Sequence, residues 1–154
     1  MTNIEKIDEI LSHIKKVEEN CTKLGKRLIG SGRVELGIEL IVNGRKHDLS
    51  KFNKFEFENL FPEEVLFERA LDTHRFTNPH HPEYWNSIHE MPEIAIAEMV
   101  CDCTARSSEF GTDIRDWFLN KATGIYHFQE NDPIGQQIKY FLGLLLSPKF
   151  ERVK

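Results

Sequence analysis

Five of the seven histidines, His13, His47, His74, His80 and His81, together with Asp48 and Asp102, have the side chains that could hold a metal. Divalent ions of the Mn, Fe, Co, Ni and Zn group take neutral imidazole nitrogen alongside carboxylate oxygen, Mg favours oxygen, and two ions can share one bridging carboxylate. The dipeptide His47-Asp48, followed by later histidines and Asp102, supplies those ligand types. His13 lies three residues after Ile10 and four before Val17, so it borders an apolar stripe and can turn inward. Asp102 sits inside the apolar run of the helix that Pro92 opens, where a carboxylate is costly unless it is paired or bound to metal. A salt bridge to Arg106, four residues on, would satisfy Asp102 alone, whereas a metal accounts for the histidines as well. Adjacent side chains of an extended segment point opposite ways, so only one of His80 and His81 is expected to bind. Glu83 and Glu98 carry weaker signals; Glu98, one helical turn before Asp102, reads as a supporting or substrate group or equally as a solvated acid. His89 and His127 have no motif around them and are expected at the surface.

Helices must position these groups. From Ile4 to Leu28, apolar residues recur at spacings of three and four, the period of one helical face, and Gly30-Ser31-Gly32 ends the pattern. A shorter helix is expected from Val34 to Val42, before Gly44. Aromatic residues crowd Phe52 to Phe61, and Pro62-Glu63-Glu64 looks like the start of a third helix reaching about His74. The two prolines of Thr77-Asn78-Pro79-His80-His81-Pro82 impose a rigid, irregular loop. Pro92 opens a helix, apolar nearly all round, that should be central. Two more helices are expected, from Thr112 to about Lys121 and from Pro133 to Leu146, and the two tryptophans, Trp85 and Trp117, should pack in the core.

The chain is long enough, at 154 residues, to enclose one core without disulfides, and one domain over residues 1–154 is expected. Its composition, 40% hydrophobic and 29% charged, is that of a globular protein. No apolar run approaches the about 18 to 20 residues that cross a bilayer, and the N-terminal MTNIEKIDEI lacks a signal-peptide layout, which together lead to an expected cytoplasmic location with no membrane partner. Cys21, Cys101 and Cys103 match no common zinc pattern and read as reduced, buried, small apolar side chains. The net charge of −5 is spread along the chain and advertises no long nucleic-acid partner.

The order His13, HDLSK at residues 47 to 51, His74, HHPE at 80 to 83 and CDCTA at 101 to 105 resembles the HD-domain metal-dependent phosphohydrolase superfamily over nearly the whole chain. HDLSK is similar to the superfamily's HD-x-G-K form, with Ser50 in place of the usual glycine. HHPE with Tyr84-Trp85 resembles the region after the extra histidines in multi-metal members, including the HD-GYP branch, although the GYP triplet is absent and only six positions separate His74 from His80. The strings HDLSKF and NPHHPEYW look closest to an uncharacterised group of phage and bacterial proteins.

The resemblance implies an all-α HD-type bundle of six to seven helices that can form a homodimer. It also implies a first metal on His13, His47, Asp48 and Asp102, with Asp48 bridging to a second on His74 and one of His80 and His81. Lys51 matches the lysine near the scissile phosphate in members that have one. The implied reaction is hydrolysis of a small-molecule phosphate ester, a nucleotide first, by a metal-activated water, with one or two divalent ions as cofactor. Two rivals use the same ligands: an HD-type di-iron oxygenase, and a binding module in which metal only fastens helices together.

Overall fold

The computed structural model describes residues 1–148, which are helical with no strand among them. Helix α1 (Asn3–Gly30) starts at a capping box in which Thr2 accepts from the Glu5 backbone and Glu5 accepts from that of Thr2. It is followed by α2 (Val34–Lys46), a 3-10 turn (Leu49–Phe52), α3 (Lys54–Asn59) and α4 (Phe67–Thr77). After two 3-10 turns (Pro82–Tyr84 and Ile88–Glu90) come α5 (Glu93–Phe110), α6 (Ile114–Trp117), a π turn (Phe118–Ala122), α7 (Thr123–Tyr126) and α8 (Pro133–Leu146). The stretch 114–126 keeps helical dihedrals across its junctions. Counted as one helix, it makes seven among the described residues, an all-α bundle of the expected size.

Helix α5 is the centre. Every residue from Ala95 to Asp102 is buried, and the helix packs against α1, α2 and α8. With apolar neighbours on several sides there is no solvent face for Glu98 or Asp102, so both carboxylates must find partners inside the protein. Asn20 on α1 donates its amide to the Cys101 carbonyl at 3.1 Å, tying α1 to α5 next to Asp102. Cys21 and Cys101 are buried free thiols; Cys103, expected to be buried too, is only partly covered.

The α1–α2 pair is close because glycines line the contact. A Cβ at Gly44 would sit 2.5 Å from the Cβ of Cys21, and one at Gly25 would sit 2.5 Å from Ile41 Cγ1. This approach sets where α2 delivers His47 and Asp48 against His13 on α1. Gly44→Ala should therefore push α2 outward and lower stability by about 1–3 kcal/mol, the usual cost of overpacking, despite the better helix propensity of alanine. Thermal denaturation measures this, and an unchanged or higher melting temperature would show that the helices separate at no cost.

Several elements differ from the sequence expectation. Residues 62–66 form turns rather than the first part of a helix, and α4 begins at Phe67. Phe61 is buried as an anchor, Lys6 holds both the Glu58 carbonyl and Glu64, and Val65 is 98% exposed, so a helix here would have no apolar face to bury. Helix α2 runs four residues past Val42, through Gly44, whose lack of a side chain is what the close packing needs. Ile4, Ile7 and Leu11 share the helical period of α1 yet are exposed, because burial on this helix is confined to the stripe through Ile10, Ile14 and Val17. The expected helix from Thr112 begins at Ile114, where the Asp113 side chain caps it, and continues to Tyr126 through the π turn. Trp85 and Trp117 pack, partly buried, against the core. No helix among the described residues is long and apolar enough to cross a membrane.

Candidate metal centre

His13 comes from the inward stripe of α1, and His47 caps α2. Asp48, the next residue, is left-handed at φ 57°, a conformation that aspartate tolerates better than most residues. That reversal turns the Asp48 carboxylate back onto the ring before it, with His47 Nε2 3.2 Å from Asp48 Oδ2. His74 lies in the last turn of α4 and Asp102 in the middle of α5. The His80-His81 loop is held by backbone bonds from His81 to Asn78 and from Tyr84 to His81, and by Trp85 Nε1 donating to the Pro79 carbonyl at 2.8 Å. All seven side chains converge, and His89 and His127 lie exposed away from them.

The two oxygens of Asp48 face different histidines. Oδ2 lies 3.2 Å from His47 Nε2 and 3.7 Å from His13 Nε2. Oδ1 lies 3.3 Å from His74 Nε2 and 3.2 Å from His80 Nε2. Asp102 is divided likewise, Oδ1 at 2.8 Å from His13 Nε2 and Oδ2 at 3.4 Å from His80 Nε2. Arg106, the alternative partner for Asp102, pairs with Glu109 instead. Three overlapping donor groups result: His13-His47-Asp48 and Asp48-His74-His80-His81, which share Asp48, and His47-His80-Asp102, which takes one histidine from each of the other two. Of the adjacent pair, His80 is the one anchored between carboxylates, while His81 pairs with no carboxylate among the described residues but still turns its ring to the same centre, 5.0 Å from that of His74. Lys51, buried, lies with Nζ 3.0 Å from Asp48 Oδ2.

Behind the histidines stands a layer of glutamates. His13 Nδ1 meets Glu109 at 2.9 Å and His74 Nδ1 meets Glu56 at 2.6 Å. A single oxygen of Glu98 meets both His47 Nδ1 at 2.9 Å and His80 Nδ1 at 3.0 Å. An ionised carboxylate only accepts, so each ring donates Nδ1–H outward and turns Nε2 to the centre. There Nε2 of His13, His47 and His80 and Oδ1 of Asp48 and Asp102 are buried without a hydrogen bond. Lone pairs that face one another inside a protein need a cation or a proton between them, so these residues fit divalent ions.

In the metal-free protein, protons take that role. Burial opposes charge at His47, His74, Asp48 and Asp102, but their mutual attraction outweighs it, raising His47 and His74 and lowering Asp48 and Asp102 from their ordinary ranges. Burial would lift Glu98, yet its bonds from His47 and His80 bring it to about 2. Burial would lower His80, yet Asp102, Asp48 and Glu98 raise it to about 10. His81 is the exception: burial and the neighbouring His80 charge push it to about 3, leaving it a neutral donor.

The signs yield a pH prediction. The depressed Glu98 contributes stability above its ordinary 4.5 that is lost as pH falls towards about 2. The raised His80 contributes stability below its ordinary 6.5 that is lost as pH rises towards about 10. Metal-free protein should therefore melt highest between these windows and lose stability from pH 7 to 9. Metal-loaded protein, in which the ion replaces the Nε2 proton, should hold or gain over the same range. Thermal melts of stripped and reloaded protein at pH 6 and pH 9 check it, and parallel curves would refute it.

One cavity of about 620 Å³ opens onto the centre, reaching His13, Asp48, Lys51, His74, His81 and Asp102. Sequence reasoning missed Glu56 and Glu109, and left Glu98 undecided between a supporting and a solvated role. The only available signal was the one-turn spacing of Glu98 and Asp102 on a helix already marked as buried.

No curated protein and no solved structure matches the chain. Residues 2–147, nearly all of the helical bundle and every residue of this centre, match one family, and the chain belongs to it: the family of unknown function DUF5662.

Proposed function

We propose that the protein is a metal-dependent phosphohydrolase that cleaves a small phosphate ester using two divalent ions held in the centre. The observation that carries this reading is the division of Asp48, each oxygen facing its own pair of histidine Nε2 atoms. Divalent ions bound there would polarise phosphoryl oxygens and make a water more acidic. Hydrolysis forms one P–O bond from water and breaks the P–O bond to the alcohol, which leaves with a proton. His13, His47, His74 and His80 would hold the ions, oriented by Glu109, Glu98 and Glu56, with His81 as a further neutral donor. Lys51, which lines the cavity with Nζ 3.0 Å from Asp48 Oδ2, would offset charge on the phosphoryl group. The resemblance to HD-domain phosphohydrolases adds support and puts nucleotides among the first esters to assay.

The test is elemental analysis of the protein as purified, followed by phosphate release from a panel of esters with manganese or iron supplied. Near two ions per chain with metal-dependent release is the expected result. Full activity in metal-free protein would refute the reading.

The di-iron oxygenase reading draws on one observation, the apolar character of much of the cavity wall, which suits an oxidisable substrate as well. Oxygen uptake with iron loaded and no phosphate release would favour it. The purely structural reading is disfavoured by the cavity itself, since a fastening site is closed by protein ligands and a reactive one keeps room for substrate.

A further inference from the structure

Away from the metal ligands, the cavity wall is built from Phe61, Phe67, Leu71, Phe110 and Trp117. Two carboxylates, Glu9 and Glu56, also line it, and Glu56 is taken up by His74. Ser107 and Thr112 hydroxyls bond each other at 3.0 Å, Tyr126 stands beside Glu83, and no asparagine or glutamine lines the cavity among the described residues. Cationic groups sit on the same wall: Lys51 lies against Asp48, Arg106 is held by Glu109, and Arg75 makes no ion pair among the described residues. The cavity therefore offers metal ligands and an arginine that can meet an anion, together with aromatic and aliphatic surface.

We propose that this cavity selects a phosphate monoester whose alcohol is compact and apolar, aromatic or branched aliphatic, in preference to a nucleotide. The inference rests on the phosphohydrolase reading and deepens it. The physical ground is a difference in desolvation. An apolar alcohol gains from every part of the wall it covers. A nucleoside brings several base-edge donors and acceptors and two ribose hydroxyls, and each one buried here without a partner costs about 1–3 kcal/mol. A site selects against a group it cannot pair more strongly than it selects for an added methylene. Arg75 would supply a head-group contact, so the two parts of the ligand are read by different residues and can be separated by mutation.

The experiment is calorimetric titration of the manganese-loaded full chain with methylphosphonate, benzylphosphonate, adenosine 5′-monophosphate and inorganic phosphate. The phosphonates are not hydrolysed, so binding is read without turnover. Benzylphosphonate should bind about tenfold or more tighter than methylphosphonate, the order expected for burying one ring, and tighter than the nucleotide. Leu71→Asn should erase the benzyl advantage while leaving methylphosphonate affinity and manganese content unchanged. Arg75→Gln should weaken both phosphonates alike. Phe110 is 74% exposed, so Phe110→Ala keeps the wall test available if the Leu71 variant fails to fold.

Equal affinity for the two phosphonates, or tighter binding of the nucleotide than of benzylphosphonate, would overturn the apolar-alcohol inference and leave the phosphohydrolase reading standing. Binding of none of the four, inorganic phosphate included, would overturn the phosphohydrolase reading and this inference with it.

Discussion

Replacing Asp48 by alanine is expected to empty both metal positions together, taking the protein from about two divalent ions per chain to none, with a loss of phosphate release on the order of a thousandfold or more. The reason is geometric: one oxygen serves His13 and His47, the other His74 and His80, so no single histidine substitution reaches both positions in the same way. Alanine has a second effect that must be separated from the first. It leaves Lys51 and the surrounding imidazoles without their buried counter-charge, which costs about 3–5 kcal/mol when one partner of a buried pair is removed. It also places alanine in a left-handed backbone position. Asp48→Asn is the sharper variant, because asparagine tolerates that backbone and keeps the shape while removing the charge. Elemental analysis and phosphate release should fall together in both variants. An Asp48→Asn protein that folds, keeps two ions and stays active would sink the bridging role.

Glu98→Ala is expected to weaken metal binding at both positions, by about 10–100-fold each, the usual effect of losing the group that orients a ligating histidine. One oxygen of Glu98 holds Nδ1 of His47, which joins His13 and Asp48 in one donor group, and Nδ1 of His80, which joins Asp48, His74 and His81 in another; the two rings also meet in a group with Asp102. The other glutamates serve one ring each: Glu109 holds His13 and Glu56 holds His74. The prediction is therefore a pattern across three variants. In a two-step titration against a chelating dye, Glu98→Ala should shift both steps, Glu109→Ala only the step assigned to the first position, and Glu56→Ala only the second. Glu98→Gln should recover part of the loss, since its amide oxygen can still accept from both rings. If Glu98→Ala moved a single step, the two positions would be independent.

The elements that the sequence made legible are those coded by local period. The three-and-four spacing through Ile10, Ile14 and Val17 places His13 on the inward face of α1, and it is buried there. The nearly continuous apolar run before Asp102, interrupted only by Glu98, calls for a helix covered on all sides, and α5 is buried throughout Ala95 to Asp102. A carboxylate in such a run must have a partner, whatever the partner is. The same local logic fails at residues 62–66, where a proline and two acids satisfy the rules for a helix start. Whether a helix forms there depends on an apolar face to bury, and Lys6, far away in sequence, draws Glu64 into a turn instead.

Residue types and chain order by themselves determined that His13 and Asp102, both of metal-binding character, lie on inward faces of helices. Tertiary structure alone decided the rest. A glutamate on a helix reads as a surface residue, and nothing near Glu56 or Glu109 says that each will support a histidine 18 or 96 positions away. The left-handed turn at Asp48, which aims two neighbouring side chains at one centre, has no local signature in a residue that is common in ordinary turns. The alternation rule for extended chain predicts one inward histidine of the pair 80 and 81, but the prolines and the Trp85 bond hold the loop out of regular extension, so both rings face the centre. The periodicity of a sequence records which face of an element is buried, because burial repeats with the turn. It carries no record of which buried groups will meet, because that depends on how whole helices pack.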